Sequence, residues 1–211
     1  MAETAPIARS PIEPVPPTTV EHGWEISARR SAADLKITDC TPLAKILVLA
    51  PQDGVLASDL GVPFGRAGRD EHGKLVVGSG PGEWLLLAAP GASAAVMERV
   101  EVIQDGGLVS VFDATHGRAL VRITGARAPD LLAKVCAIDF ADEITPNGAA
   151  FRSSVAKLVT DVVRDDLGGL RSYLLHCERS SGQYLFDALI DAGGEFGIEV
   201  DGFVETGNRG V

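Results

Sequence analysis

Hydrophobic residues in the first half of the chain alternate between short continuous runs and helical spacing. The run "AKILVLA" (residues 44–50) predicts a buried strand, and "QDGVLASDL" places Val55, Leu56 and Leu60 on one side of a short helix. Two more strands, "KLVVGS" and "EWLLLAA", flank the turn sequence "GPG". A helix over "GASAAVMERVEVI", ended by "QDGG", and a last strand "LVSVFDA" complete the order β-α-β-β-α-β.

The second half of the chain repeats this order. "RALVRIT" predicts a strand, "ARAPDLLAKVC" a helix, and "SVAKLVTDVVRDD" and "RSYLLHCE" two strands around the turn "LGGL". The helix "SGQYLFDALIDAGG" and a short strand "GIEVDG" end the repeat. Without a gap, Trp84 aligns with Tyr173 at the start of equivalent strands, and Val96 aligns with Leu185 in equivalent helices.

This repetition predicts an α+β fold of two intertwined ferredoxin-like βαββαβ units that share a core. The pseudo-repeats span about residues 42–113 and 117–203, and no linker divides them, so we expect one domain over residues 23–203. Residues 1–22 predict a Pro-rich extended arm, since residues 1–20 contain five prolines and almost no periodicity. The arm either lies along a partner or remains a loose terminus. Residues 204–211 predict a frayed tail.

Composition narrows the function classes. The chain has 211 residues, of which 45% are hydrophobic, so it has enough apolar material for a core. Its formal charge of −10 repels nucleic-acid phosphates and anionic membranes, and we expect neither as a partner. The sequence shows no apolar run long enough to span a bilayer and no apolar signal-peptide core, which favours a cytoplasmic location.

The cysteine and histidine pattern predicts no metal site. Cys40, Cys136 and Cys177 are scattered in apolar surroundings, so we expect buried thiols rather than disulfides or zinc ligands. None of the histidines shows the i, i+4 pairing of a helical metal site. They are His22, His72, His116 and His176.

Two short stretches look like active-site motifs. "FDATH" places Asp113, Thr115 and His116 close together, as a general base with its partners, but a strand end with these residue types favours a turn in which Asp or Thr bonds backbone N–H groups. "GSGPGEW" (residues 78–84) has the glycine density of a phosphate-binding loop. Because it leads into a strand and not a helix, a hairpin turn is favoured.

Three longer segments between residues 110 and 190 resemble a known family. They are "SVFDATHGRALVRITGARAPDLLAKVCAIDF", "ITPNGAAFRSSVAKLVTDVVRDD" and "SYLLHCERSSGQYLFDAL". Their order and spacing are similar to the N-terminal half of the glycine-cleavage T-protein, an aminomethyltransferase. That family shows "FD-[VA]-[ST]-H", then a strand and a helix, then "PN-G", an Asp-containing strand and a "Y-L-[VL]" strand. The resemblance implies the same fold.

The chain departs from this family in two ways. The similarity stops near residue 203, whereas an aminomethyltransferase continues into further parts that help to hold folate. The folate enzymes also have a "GG-[IL]-x-DD" element, where this chain has Val155, Ala156 and Lys157 in the glycine region and Thr160 with Asp161 at the Asp pair. Close backbone approach needs glycine. Asp161 is therefore a candidate for folate contact, and a surface ion pair at a subunit contact is the alternative. Burial by neighbouring valines would raise the pKa of Asp161 unless a cation such as Lys157 or Arg164 compensates.

A short T-protein-like chain with a Pro-rich arm resembles the gamma-subunit family of bacterial heterotetrameric sarcosine oxidases. This resemblance implies an alpha-beta-gamma-delta complex that oxidises sarcosine to glycine and hydrogen peroxide and forms 5,10-methylenetetrahydrofolate when tetrahydrofolate is present. It implies FAD, FMN and NAD in the alpha and beta subunits, zinc in delta, and no cofactor or catalytic residue in this chain. The function expected is that of a non-catalytic accessory subunit bound chiefly to alpha.

Two alternatives remain. The first is a stand-alone, folate-binding aminomethyltransferase-like protein that uses Asp161. The second is the related folate-binding protein of iron–sulfur repair, whose hallmark is a "KGCYxGQE"-like segment with a reactive cysteine. The nearest run here, "HCERSSGQY", has a different spacing and lies at a strand-to-helix junction, which gives Cys177 a structural role.

Overall fold

Two β-sheets lie face to face in the computed structural model of the protein, which describes residues 6–71, 73–103 and 107–204. Four short strands precede the first repeat: β1 (Ala8–Arg9), β2 (Thr18–Glu21), β3 (Trp24–Ser27) and β4 (Lys36–Asp39). The first three form a small sheet with β3 in the middle. None of the described helices is long and apolar enough to cross a membrane.

The first repeat has the predicted βαββαβ order. Its elements are β5 (Ala44–Leu49), α1 (Val55–Leu60), β6 (Ala67–Arg69), β7 (Leu75–Gly80), β8 (Glu83–Ala88), α2 (Ser93–Val102) and β9 (Ser110–Asp113). The strands are antiparallel in the spatial order β9-β5-β8-β7, as in a ferredoxin-like unit, and β6 extends the edge beside β7. The predicted end of α2, "QDGG" (residues 104–107), falls mainly on residues 104–106, which lie outside the described residues. His72 lies outside the described residues as well.

The second repeat confirms the predicted elements with one correction. It contains β10 (Arg118–Thr124), α3 (Ala128–Val135), β11 (Ala150–Val155), β12 (Leu158–Arg164), β13 (Ser172–Glu178), α4 (Gly182–Gly193) and β14 (Glu199–Val200). The segment "SVAKLVTDVVRDD" (residues 154–166) was expected to be one strand and instead contains the end of β11, the turn of the β11–β12 hairpin and β12. A two-residue turn at Ala156 and Lys157 reverses the chain inside it.

The second sheet also takes a strand from outside its repeat. Its order is β11-β12-β13-β10-β4-β14, so β4 occupies the place beside β10 and β14 pairs with the outer side of β4 in parallel. The sequence analysis did not predict β4, which is only four residues long. Its one fully buried side chain, Ile37, joins the core under α3 and α4. The two repeats are thus intertwined through the chain that precedes the first.

Three apolar cores separate the layers. One lies between the first sheet and α1 and α2, one between the second sheet and α3 and α4, and one between the two sheets. Strand alternation distributes the side chains: Trp84 faces the first pair of helices and Tyr173 the second, while Leu85 and Leu174 meet in the shared core. The predicted equivalence of Trp84 with Tyr173 is therefore an equivalence of position in the fold.

The described part of the arm, residues 6–22, packs on its own domain. Ile12 is 1% exposed and belongs to the core under α3 and α4. The backbone N–H of Glu13 donates to the side-chain oxygen of Gln183 at 2.7 Å, and a guanidinium N–H of Arg179 donates to the carbonyl oxygen of Arg9 at 2.7 Å. Residues 205–211 lie outside the described residues, so the frayed tail stays a prediction.

Candidate functional site

Asp161 lies in β12, between a cation on one neighbouring strand and an imidazole on the other. The strand register places it opposite Arg152 of β11 and opposite His176 of β13. Because each lies two residues from a shared-core residue of its own strand (Ala150, Val163 or Leu174), all three side chains project from the face of the second sheet that is turned toward the first sheet. Glu83, at the start of β8, lies across from them.

A bidentate ion pair dominates this cluster. Nε of Arg152 donates to Oδ1 of Asp161 at 2.6 Å, and Nη2 donates to Oδ2 at 3.1 Å. Nδ1 of His176 lies 3.4 Å from the same Oδ2, and the Arg152 guanidinium is 3.8 Å from a carboxylate oxygen of Glu83. The hydroxyl of Ser79 donates to Glu83 at 3.1 Å. Both oxygens of Asp161 therefore have protein partners.

The electrostatics of the cluster keep Asp161 ionised. Burial raises the pKa of its carboxyl group, but hydrogen bonds from His176 and Arg152 outweigh burial, so its pKa lies below the usual 3.8. Burial lowers the pKa of His176 below 6.5, which favours the neutral imidazole. Among the described residues, Nε2 of His176 is buried without a hydrogen-bond partner. A carboxylate with so low a pKa is a weak proton acceptor at neutral pH.

The cation beside Asp161 was predicted wrongly. Lys157 lies in the turn of the hairpin, and Arg164 pairs instead with Asp142 and Asp166, with shortest distances of 2.6 and 3.0 Å. Arg152 was missed because its strand was not recognised. A two-residue turn at positions 156 and 157 pairs Val155 with Leu158. Counting outward from that pair places Arg152 opposite Asp161.

The turn itself keeps the backbone shape expected of glycine. Ala156 has φ +48° and Lys157 has φ +68°, and two successive positive φ angles define a type I′ hairpin turn. Side chains of L-residues disfavour this region. The turn thus adopts a glycine-type conformation with two residues that carry side chains.

Thr115 connects the "FDATH" corner to the first sheet through hydrogen bonds. Its backbone N–H donates to Oδ1 of Asp113 at 2.8 Å, which is the turn favoured by the sequence, and its hydroxyl oxygen accepts the backbone N–H of Lys45 at 3.0 Å. The ring of His116 stacks on Trp24 with centroids 4.8 Å apart. The corner therefore joins β3, β5 and β9, a structural role.

Lys45 is a buried cation that the sequence analysis did not single out. Its ammonium group donates to the carbonyl oxygens of Thr41 and Leu43, each at 2.7 Å, and the residue is 0% exposed. Burial lowers its pKa to about 8. The two carbonyl partners lie in the loop that links β4 to β5, so Lys45 fixes the crossing between the two sheets.

The other motifs have structural positions. "GSGPGEW" forms the β7–β8 hairpin, with φ +69° at Gly82, and leads into a strand as predicted. The three cysteines are buried free thiols, which confirms that prediction. No group of three or more His, Cys, Asp or Glu residues within 6–71, 73–103 and 107–204 could hold a metal ion. The expectation that the chain binds no metal stays a prediction.

Two solved structures illustrate proteins that share this fold. A chain of the heterotetrameric sarcosine oxidase from Corynebacterium sp. U-96, solved with pyrrole 2-carboxylate, is 22% identical, with a TM-score of 0.68 over 80% of this chain and 89% of that chain. The glycine cleavage system aminomethyltransferase T from Bartonella henselae is 16% identical, with a TM-score of 0.68 over 88% of this chain. This chain spans 55% of that enzyme. Such identities show a shared fold.

Sequence comparison gives the family. No curated protein sequence matches this chain. The family described as the GCVT N-terminal domain matches residues 66–204, from β6 through the end of the second repeat. Because that match spans more than half of the 211 residues, the protein belongs to the GCVT N-terminal domain family.

Proposed function

We propose that this protein is a non-catalytic accessory subunit of a heterotetrameric sarcosine oxidase. The observation that carries the proposal is the agreement in fold with a chain of such an enzyme, with a TM-score of 0.68 over 80% of this chain and 89% of that chain. The aminomethyltransferase with the same TM-score is covered over only 55% of its length.

The geometry around Asp161 supports the absence of catalysis in this chain. A general base works best with a pKa near the working pH, and a carboxylate held by two hydrogen bonds from Arg152 has the opposite property. The hairpin turn beside it carries the side chains of Ala156 and Lys157 where folate enzymes present bare backbone. These residues do not fit a tetrahydrofolate site of the kind that the family resemblance implies.

In this proposal the chemistry belongs to the partners. The complex demethylates sarcosine oxidatively to glycine with hydrogen peroxide and, with tetrahydrofolate, gives 5,10-methylenetetrahydrofolate. FAD, FMN and NAD are bound by the alpha and beta subunits and zinc by delta, and this chain binds chiefly to alpha in the cytoplasm. Its own contribution is the stability of the assembly.

Co-expression with the alpha, beta and delta chains of the same organism tests the proposal. We expect this chain to co-purify with them in one complex whose peroxide formation depends on sarcosine. Asp161→Asn should leave the turnover of the assembled complex unchanged, since the proposal gives Asp161 no role in the reaction. A chain that remains a monomer in the presence of the other three contradicts the proposal.

The second candidate is a stand-alone folate-binding aminomethyltransferase-like protein. The family membership and an ionised carboxylate at position 161 favour it. Calorimetric titration of the isolated chain with tetrahydrofolate discriminates between the two. Micromolar binding that Asp161→Asn abolishes would support the second candidate, whereas no binding favours the accessory subunit.

A further inference from the structure

The loop at residues 62–66, between α1 and β6, is held rigidly by hydrogen bonds. The indole N–H of Trp84 donates to the carbonyl oxygen of Val62 at 2.8 Å. Gly65 donates to Gly78 at 3.0 Å, and Gly78 donates back to Arg66 at 2.9 Å. The N–H of Ala150, in the second sheet, donates to Gly65 at 3.0 Å, so both sheets fix the loop.

Gly78 allows the loop to lie directly on β7. A Cβ atom at this position would overlap the carbonyl group of Pro63, so only glycine permits the approach. Phe64 forms a bridge to Gly78 at the same point. The backbone of the loop therefore has one strongly preferred conformation.

This rigid loop presents an aromatic side chain to solvent. Phe64 is 62% exposed, although the strand partner that fixes its backbone is buried. Beside it lies a groove of about 310 Å³, walled by Ala57, Val62, Pro63 and Pro81. A single exposed apolar residue is ordinary, but an aromatic side chain on fixed backbone next to an apolar groove has the properties of an interface hot spot.

Arg66 lies two residues after Phe64 in the same loop. Arg66 is exposed, and no described side chain forms a hydrogen bond or an ion pair with it. By contrast, Arg69 of the first sheet and Arg122, Arg152 and Arg164 of the second sheet each pair with a carboxylate. Arginine and aromatic residues are enriched in protein interfaces, where a guanidinium group pairs with a carboxylate on the partner.

We propose that Phe64, the adjoining groove and Arg66 form a docking site for a partner chain that presents an apolar side chain beside a carboxylate. The apolar side chain fills the groove against Phe64, and the carboxylate pairs with Arg66. Fixed backbone reduces the entropy lost on association, which favours this loop over a mobile one. The inference rests on the proposed function, since it assigns this surface to a partner chain of that complex.

The test measures binding of the purified chain to the rest of the complex by biolayer interferometry. Phe64→Ala should raise the dissociation constant at least about tenfold, because hot-spot truncations exceed that effect. Arg66→Glu should weaken binding further by opposing the partner carboxylate, and Arg66→Lys should retain part of the affinity. Phe112→Ala is the matched control, since Phe112 is 52% exposed on the edge strand β9, and Lys157→Glu controls for charge.

The possible results distinguish failure of the docking site from failure of the proposed function. Wild-type binding that both Phe64→Ala and Arg66→Glu weaken, with unchanged thermal unfolding and unaffected controls, supports the docking site. Wild-type binding that survives both substitutions overturns the docking site and leaves the proposed function standing. A wild-type chain that does not bind the other subunits overturns both.

Discussion

The guanidinium group of Arg152 and the carboxylate of Asp161 form a two-point ion pair across the β11–β12 hairpin, with N–O distances of 2.6 and 3.1 Å. Asp161 is mostly shielded from solvent, with 15% of its side chain exposed, whereas half of the Arg152 side chain is exposed. The pair therefore lies at the boundary between the shared core and water. Partial burial reduces the solvent screening of the pair, and the desolvation of the carboxylate offsets part of that gain.

Arg152→Met should destabilise the protein by about 1 kcal/mol at neutral pH, because it leaves a mostly shielded carboxylate with one weak partner. Urea unfolding measures the loss. The folded-state pKa of Asp161 lies below its unfolded value of 3.8, so the pair stabilises fully above that value and the stabilisation disappears as pH falls through the folded pKa. The difference between wild type and Arg152→Met should shrink in acid. A difference that stays constant down to about pH 2 would contradict this account.

The buried imidazole of His176 should also make stability depend on pH, in a range closer to neutral than the range set by Asp161. Burial lowers its folded-state pKa below the unfolded 6.5, and the groups that face it are Asp161, Arg118 and Lys45. Below 6.5 the unfolded chain binds a proton that the folded chain resists, so stability falls as the medium becomes more acidic. The urea midpoint should be lower at about pH 5.5 than at about pH 7.5.

Replacing this histidine should remove much of that dependence. His176→Leu should show a smaller change in urea midpoint between the two pH values than wild type does. His116→Leu is the control, since His116 lies on the exposed corner and stacks on Trp24. Equal pH dependence in wild type and His176→Leu would assign the effect to other groups.

The turn of the β11–β12 hairpin should be improvable by substitution. Ala156 and Lys157 hold positive φ angles that disfavour side chains, and Asn-Gly is the preferred pair for such a turn. The double change Ala156→Asn with Lys157→Gly should stabilise the protein by up to about 1 kcal/mol. Thermal unfolding should show a midpoint higher by about 2–4 °C for a chain of this size.

A second turn provides the reverse experiment. Gly168 and Gly169 have φ +57° and +79°, and a Cβ atom at either meets nothing within 4 Å. Gly169→Ala should therefore cost about 1 kcal/mol through backbone strain alone. If the first change lowers the midpoint or the second raises it, positive φ does not limit stability at these turns.

Sequence patterns predicted the strands that are buried on both faces. β5, β8 and β10 read as continuous apolar runs because each lies between a helix layer and the shared core. β4 was not predicted, since four residues with one fully buried side chain show no hydrophobic periodicity. The β11–β12 hairpin was missed because "AK" carries none of the usual turn chemistry, although it adopts a glycine-type conformation.

Of the residues in the candidate site, the sequence analysis identified Asp161 but not its partner Arg152, because the β11–β12 turn was not recognised. Asp161 was found through the family resemblance, which marks the position of a carboxylate. Its partner Arg152 depends on strand register, and register depends on the turn that the sequence did not reveal. His176 was considered only as a possible metal ligand, although pairing the two predicted strands symmetrically about the turn "LGGL" places it opposite Asp161.

The arm offers a direct test of its role in folding. Ile12 is 1% exposed in the core under α3 and α4, and Pro11 lies against Gly182 at the start of α4, where a Cβ atom would be 2.8 Å from the proline ring. Ile12→Ala should therefore cost about 2–5 kcal/mol, as for other large-to-small changes in a core. Ile7→Ala, at a position 55% exposed in the same arm, should change stability by less than about 0.5 kcal/mol. Urea unfolding of the two variants separates an arm that completes the core from one that only rests on the surface. Equal stabilities for Ile12→Ala and Ile7→Ala would show that the arm is dispensable for the isolated fold, and its burial of Ile12 would then contribute nothing measurable to stability.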